Sequence, residues 1–163
     1  MTKFGKFMYN LITPAAIYLS KHKALFYALS YTWGILTTLG GWVMFLFVKL
    51  FLRKKIEWEG KFHTADCIVF GNNWGGLECG TNILVAGNAG EDWELHTKRH
   101  ELGHTYQNAV MGPFAIFMGF IPSVARYWYQ TIRDHKKLPN KPYDDFWYEG
   151  SATYIGTVID SEK

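Results

Sequence analysis

The chain has 163 residues and a formal charge of +3, and 48% of its residues are hydrophobic and 18% aromatic. That length fits one domain, and the apolar content excludes a disordered chain. Two cysteines are too few for a disulfide-built scaffold of this size, and so small a charge gives no reason to expect a nucleic-acid partner. The aromatic excess leaves two classes open, a protein with a large soluble core and a protein that faces a membrane.

The first 55 residues are predicted to anchor the chain in a membrane. Residues 1–23 carry four lysines around an apolar stretch broken by Pro14, as in an interfacial segment or an ordinary surface helix. Residues 24–48 contain no Asp, Glu, Lys, Arg or His. As one helix they would be about 37 Å long, enough to cross a hydrocarbon core of about 30 Å. We therefore expect a transmembrane or membrane-embedded helix over 24–48; a buried helix of a soluble protein is the alternative.

Residues 56–90 change to short β-branched runs separated by Gly and Asn. This pattern predicts two to four short antiparallel strands joined by tight turns. Cys67 and Cys79 fall on neighbouring predicted strands, either paired in an oxidising compartment or as two free thiols.

The remaining segments are predicted to be mainly helical. Residues 92–108 have acidic residues at their start and a recurring face at helical spacing. The uncharged stretch 105–125 contains Pro113 and Pro122, which disfavour a straight span. A helix hairpin, a membrane-proximal segment or a soluble core segment would each fit it. Residues 142–160 predict a last helix, beginning at Asp144 or Asp145.

The most informative motif is His100-Glu101-Leu102-Gly103-His104, an HExxH pattern inside the predicted helix. Residues i and i+4 share one helix face, so both imidazoles can reach the same Zn²⁺. Glu101 lies beside the first ligand, where a general base for an attacking water belongs. Two core histidines on one helix face are the alternative interpretation.

A catalytic zinc needs three protein ligands and an open position. Glu149 lies on the predicted last helix, in the run Glu-Gly-Ser-Ala-Thr-Tyr, and is the candidate for the third ligand. His96, one turn before His100, would close the site if it were a fourth ligand.

HELGH followed by Glu-Gly-x-Ala-x-Tyr resembles the gluzincin group of zinc metallopeptidases, in which a small sheet precedes the HExxH helix. The chain also resembles a family of uncharacterised bacterial membrane proteins with GGxxxGxxI, HExGHxxQ and GPxxxxxxxxPS patterns. The matching residues here are Gly75, Gly76, Gly80, Ile83, Gln107, Gly112, Pro113, Pro122 and Ser123.

The gluzincin resemblance implies that His100, His104 and Glu149 bind zinc and that Glu101 is the catalytic base. Thr153 stands where some gluzincins have an Asp that orients a ligand histidine, so Asp144 or Asp145 would have to take that role. A hydrolase of this type also needs a donor for the oxyanion, and four residues are candidates: Tyr154, Tyr148, Tyr143 and His135. Of these, Tyr154 is the one predicted to be catalytic.

We therefore expect an α+β protein with a membrane anchor over 1–55 and a zincin-like domain over 56–163. It would hydrolyse peptide bonds of a peptide or a membrane-proximal protein with zinc-activated water. We expect the protein to be located in a membrane, specifically the bacterial inner membrane. Its expected partners are membrane lipid and other membrane-protein subunits. The alternative is a non-catalytic accessory subunit of a membrane complex, which keeps the fold and uses its aromatic surfaces for packing.

Overall fold

The computed structural model describes residues 1–71, 75–88 and 90–162. Within these ranges the chain forms an α+β fold of six α-helices and one four-stranded sheet, which confirms the predicted class. The helices are α1 (Lys3–Ser20), α2 (Lys23–Tyr31), α3 (Ile35–Phe51), α4 (Glu91–Met111), α5 (Ile121–His135) and α6 (Trp147–Ser161). The strands are β1 (Ile56–Phe62), β2 (Ala65–Phe70), β3 (Gly76–Cys79) and β4 (Asn82–Ala86).

The sheet has the strand order β1-β2-β4-β3. The prediction of an antiparallel sheet is wrong for its centre, because β2 and β4 pair in parallel while the two outer pairs are antiparallel. After β2 the chain crosses to the far edge, forms β3 there, and returns as β4 beside β2. Cys67 and Cys79 are therefore not on neighbouring strands, and both thiols are free.

Helices cover both faces of the sheet. On one face it packs against α3, through Phe45, Val48, Ile68, Phe70 and Leu84. On the other face it packs against α1, α2, α4 and α6, through a core that includes Leu19, Phe26, Cys67, Val69, Ile83, Val85, Leu102, Tyr106 and Ile155. The predicted anchor over 1–55 is thus in close contact with the predicted metal domain.

Residues 24–48, predicted as one helix, belong to two helices. α2 and α3 meet at 86° across residues 32–34, so the prediction of a continuous helix is wrong. The break is held from elsewhere in the chain, since the Trp33 indole Nε1 donates to the carbonyl oxygen of Val110 (3.3 Å). No single helix in the described ranges is long and apolar enough to cross a membrane, although α2 and α3 taken together have the necessary length and composition.

The helix predicted over 92–108 is α4, extended to Met111. The first part of the uncharged stretch 105–125 belongs to α4 and is buried at residues 105–109 and at Met111. The predicted contact with a membrane is therefore open only to the part that follows α4. That part contains a π-helical turn, Ile116–Phe120, which leads directly into α5. The last helix begins at Trp147, after a short 3-10 turn over Tyr143–Asp145, rather than at Asp144 or Asp145.

α4 and α6 cross at unusually close range because glycines stand at the contact. A Cβ added at Gly103 would overlap the backbone of Ala152, and one added at Gly156 would overlap the carbonyl of Arg99. A second set of contacts joins the same helices one turn beyond Gly156, where Asp160 accepts from Arg99 Nε (2.8 Å) and pairs with His63 Nε2 (2.8 Å). This close crossing brings Glu149 of α6 next to the histidines of α4.

Candidate metal centre

Three ligand atoms from α4 and α6 converge on one point. Nε2 of His100 and Nε2 of His104 are 3.1 Å apart, and Oε2 of Glu149 lies 3.0 Å from the first and 3.3 Å from the second. His104 and Glu149 are buried and His100 is half-buried. The structure therefore brings together the three residues that the sequence predicts as ligands, in an arrangement that can hold a metal ion.

The arrangement fits a small ion bound by nitrogen and oxygen. Ligand atoms at about 2.0–2.1 Å from a tetrahedral ion lie about 3.3 Å from one another, close to the separations in this cluster. Within the described residues, Oε1 of Glu149 is buried and has no hydrogen-bond partner. A bound cation would satisfy that orphaned oxygen, and two imidazoles with one carboxylate form a ligand set typical of catalytic zinc.

His104 is held in the tautomer that a metal ligand requires. The amide Nε2 of Gln107 donates to the Tyr148 carbonyl (2.9 Å) and to Ser151 Oγ (2.6 Å), which leaves Gln107 Oε1 as an acceptor. That oxygen lies 2.7 Å from Nδ1 of His104. With a cation in the cluster, the proton would thus stay on Nδ1 and Nε2 would present its lone pair to the ion.

His100 is oriented by a relay through Thr153. The Nδ1 of His100 lies 2.8 Å from Thr153 Oγ1, and the same hydroxyl donates to Asp144 Oδ1 at 3.4 Å. Thr153 occupies the position where the gluzincin resemblance suggests an Asp, and Asp144 supplies a carboxylate one step further out. Both imidazoles therefore turn Nε2 toward Glu149 because an acceptor holds each Nδ1 proton.

Glu101 lies beside this cluster in a tight backbone cradle. Its side chain is buried on α4, and a Cβ added at Gly76 of β3 would overlap its carboxylate. Burial raises the pKa of Glu101, while the charges of His100 and His104 lower it to a smaller extent. A carboxylate with a raised pKa is a stronger base, as a proton acceptor for water requires.

The cluster opens into a cleft of about 690 Å³. β3 forms one wall and α5 another, and the cluster with Tyr148 forms the floor; His96 also lines the cleft but is outside the ligand cluster. The Tyr148 ring stacks on His104 with centroids 4.5 Å apart, and burial raises its pKa well above the ordinary value. Tyr143 also faces the cleft, and its pKa is raised to about 12, first by burial and then by the charge of Glu149.

The structure does not bring Tyr154 to this cleft. The Tyr154 ring is half exposed and lies 6.4 Å from the ring of Tyr9 on α1. Tyr154 follows Glu149 by five residues, about 140° around a helix from the ligand. His135 is exposed at the end of α5 and is also outside the cleft lining. Of the four predicted oxyanion donors, Tyr143 and Tyr148 are the two that the cleft contains.

Glu78 is a further carboxylate of the cleft, which the sequence pattern did not single out. One carboxylate oxygen accepts from Asn108 Nδ2 on α4, and the other is buried without a partner in the described part of the chain. Burial raises the pKa of Glu78 to about 8, although His104 and Asn108 favour its charged form. In the sequence, the only indication of this role is that a Glu interrupts the mainly apolar segment from Gly76 to Ala86.

The charges of the cluster are strongly coupled. Burial lowers the pKa of His104, but the adjacent Glu149 carboxylate outweighs burial and raises that pKa to about 9. Burial likewise favours neutral Glu149, whereas His104 and the hydrogen bonds from both histidines lower its pKa overall. A cation placed among these groups would take over the role of the His104 proton.

The chain was compared with protein-family models, with characterised proteins and with solved structures, and none of them matches it.

Proposed function

We propose that this chain is a membrane-associated zinc metallopeptidase of the gluzincin type. The observation that carries the proposal is the convergence of His100 Nε2, His104 Nε2 and Glu149 Oε2 beside Glu101 in an open cleft. A structural zinc site would be closed by a fourth protein ligand, and His96 does not belong to the cluster. An open position next to a buried carboxylate is the arrangement that hydrolysis requires.

His100, His104 and Glu149 would hold the ion, and Gln107 and Thr153 would keep both histidines in the required tautomer. Zinc bound there supplies a Lewis acid that polarises a carbonyl and lowers the pKa of water. Glu101 takes the proton from the attacking water and returns it to the leaving amine. Tyr143 and Tyr148 are the hydroxyl donors within reach of the cleft for a developing oxyanion.

The shape of the cleft supports an extended peptide as the substrate. β3 is an edge strand of the sheet, and Gly75, Gly76, Leu77 and Glu78 line the cleft along it. An edge strand offers backbone N–H and C=O groups to which an extended segment can add as a further strand. A substrate bound in this way would run past Glu101 and the metal ligands.

Association with a membrane is supported by the apolar outer surface of α2 and α3. Its exposed residues include Leu25, Trp33, Leu36, Trp42, Val43, Leu46, Phe47, Leu50 and Phe51. Monomeric soluble proteins rarely expose a contiguous apolar surface of this kind. We propose that the bent pair is embedded in the membrane, as a broken span or as a re-entrant hairpin.

The test combines metal content with turnover. Purified full-length protein should contain about one zinc per chain and cleave members of a peptide library. Glu101→Gln should retain zinc and lose turnover by ~10²–10⁴-fold, because it removes the base and keeps the shape. Glu91→Gln, at an exposed position in the first turn of the same helix, is the matched control and should behave as wild type.

The competing function is an accessory subunit of a membrane complex that retains a zincin-like fold. The same exposed apolar surface favours it, since partner helices can cover such a surface as well as lipid can. In that case wild type and Glu101→Gln at equal zinc occupancy would both fail to cleave peptides and would assemble with the same partners. That result would replace the peptidase proposal.

A further inference from the structure

A stripe of exposed apolar side chains runs along the outside of residues 114–132. Its members are separated by three, four or seven residues, which are one or two helical turns, and are 50% to 68% exposed: Phe114, Phe117, Ile121, Trp128 and Ile132. None of the residues of α5 is buried. We call this set the outer stripe.

The opposite side of α5 faces the metal cleft. Four of its cleft-lining residues follow the same helical spacing: Ser123, Tyr127, Gln130 and Asp134. Val124 and Thr131 also line the cleft, from the edge of this side. At 100° per residue, the set of four lies roughly opposite the members of the outer stripe that belong to α5, which are Ile121, Trp128 and Ile132. α5 therefore separates the candidate metal centre, on one side of the helix, from the outer stripe on the other.

Among the described residues, the side-chain hydrogen bonds of α5 are made by residues outside the outer stripe. Arg126 Nη2 donates to the carbonyl of Pro142 (2.7 Å) and Gln130 Nε2 to the carbonyl of Lys141 (2.8 Å). Asn140 Nδ2 donates back to the carbonyl of Gln130 (3.1 Å). α5 is thus fixed to the segment that leads to α6, and its apolar side is left facing outward.

The composition around the outer stripe favours an anionic lipid surface as its partner. Residues 121–141 contain five Lys or Arg and one acidic residue, Asp134, which lines the cleft. Lys136 and Lys137 are exposed at the end of α5, and Trp128 and Tyr129 are each 60% exposed. Trp and Tyr concentrate at membrane interfaces, and basic residues beside an apolar helix face attract anionic headgroups.

The outer stripe begins where the apolar surface of α2 and α3 reaches the metal domain. Trp33, at the break between those helices, lies with its ring 5.9 Å from the ring of Phe114. Both rings are about half exposed. An apolar surface thus extends from α2 and α3 past Phe114 onto the outside of α5.

We propose that the outer stripe lies in the headgroup region of an anionic membrane, with the basic end of α5 on the phospholipid headgroups. α5 then separates lipid from the metal cleft, so that the cleft lies at the membrane surface. This surface is additional to the membrane pair α2–α3, and it does not depend on whether a metal binds or a peptide is cleaved.

The test measures where α5 lies in reconstituted full-length protein. Nitroxide labels at Trp128→Cys and Ile132→Cys, on a Cys67→Ala/Cys79→Ser background, are compared with a label at Thr131→Cys, which lines the cleft on the same helix. Vesicles of phosphatidylcholine, with and without phosphatidylglycerol, provide the two surfaces. We expect the labels at 128 and 132 to be accessible to oxygen and shielded from a water-soluble nickel complex, more strongly with phosphatidylglycerol. The label at 131 should show the reverse.

Two results would overturn the proposal. If the labels at 128 and 132 are as accessible to the nickel complex as the label at 131, the stripe lies in water. If they are shielded from both reagents, protein covers the stripe. Quenching by brominated lipid, compared between wild type and Trp128→Phe, gives the same decision without altering the cysteines. Metal-free and zinc-loaded samples should agree, so failure of the peptidase proposal would not affect this result.

Discussion

The inside of α4 and the outside of α3 and α5 reverse the usual distribution of polar and apolar residues. α4 buries Glu101, His104, Gln107 and Asn108, whereas the outer sides of α3 and α5 expose Phe, Trp, Leu and Ile. Soluble proteins place these residue types the other way round. Each half of the reversal indicates a partner: the buried polar residues surround a candidate ion, and the exposed apolar residues face a candidate membrane.

The two regions also differ in how many of their polar groups have hydrogen-bond partners. On α4 the imidazole Nδ1 atoms both have acceptors. Within residues 1–71, 75–88 and 90–162, one buried oxygen of Glu149 and one of Glu78 have no hydrogen-bond partner, and both residues line the cleft. Buried polar groups are normally paired, so those two oxygens mark where a cation or a substrate group would bind. In the described part of the chain, the exposed apolar side chains of the outer surfaces form no comparable network, and removing them from water would stabilise the chain.

We call the buried polar cluster on α4 and α6 the inner region, and the exposed apolar sides of α3 and α5 the outer region. The largest change in zinc affinity should come from removing a candidate ligand of the inner region. Glu149→Ala deletes one of the three ligand atoms and leaves two imidazoles without their carboxylate. Zinc affinity should fall by well over the ~100-fold that loss of a ligand's hydrogen-bond partner costs. Competition with a chelating dye measures it, with Glu91→Ala as the exposed control on α4. Equal zinc affinity in the two variants would show that Glu149 is not a zinc ligand.

The two faces of α3 should respond oppositely to the same substitution. Phe45→Ala opens a cavity against the sheet, where Phe45 is 8% exposed, and should reduce the free energy of unfolding by about 3–5 kcal/mol. Phe47→Ala, at 54% exposure on the same helix, should change it by less than about 1 kcal/mol in detergent. Denaturant titrations of both variants decide this. Similar losses would mean that the outer face is packed against protein.

Glu78 should make the stability of the metal-free protein depend on pH. Its pKa is raised from the ordinary 4.5 to about 8, so between these values the folded chain holds a proton that the unfolded chain has released. Stability should therefore fall as pH rises through this window, at about 1.4 kcal/mol for each unit of pKa difference. Glu78→Gln mimics the neutral carboxyl and should remove that part of the slope, whereas Glu91→Gln should not. Parallel slopes for wild type and Glu78→Gln would contradict the burial argument.

Local patterns predicted the inner region well and the outer region less well. The HExxH helix and the cluster of His100, His104 and Glu149, which could hold a metal ion, follow from spacing within α4 and from one Glu on α6. The break between α2 and α3 is in contact with a distant segment, through the hydrogen bond from Trp33 to Val110, 77 residues away, which local patterns do not contain. The parallel pairing of β2 and β4 has the same local pattern as an antiparallel pairing, so strand composition does not distinguish them. Glu78 belongs to the site because β3 lines the cleft and α4 supplies Asn108 as its hydrogen-bond donor, and both are contacts between distant segments.

The relay behind His100 should produce the smallest effect, and it tests how far the inner region extends. Thr153→Val keeps the shape of the side chain but removes the hydroxyl that accepts from Nδ1 of His100 and donates to Asp144. Zinc affinity should fall by ~10–100-fold, since a ligand histidine loses the group that fixes its tautomer.

Two further variants separate this relay from general effects on α6. Thr153→Ser restores a hydroxyl at the same position and should recover most of the zinc affinity. Thr157→Val removes an equivalent hydroxyl one turn further along, which donates to the Thr153 carbonyl, and should leave affinity unchanged. If Thr157→Val weakens zinc binding as much as Thr153→Val, the loss comes from the helix. If Thr153→Val alone lowers affinity and Thr153→Ser restores it, the hydroxyl orients His100, and Asp144 contributes to the site through it.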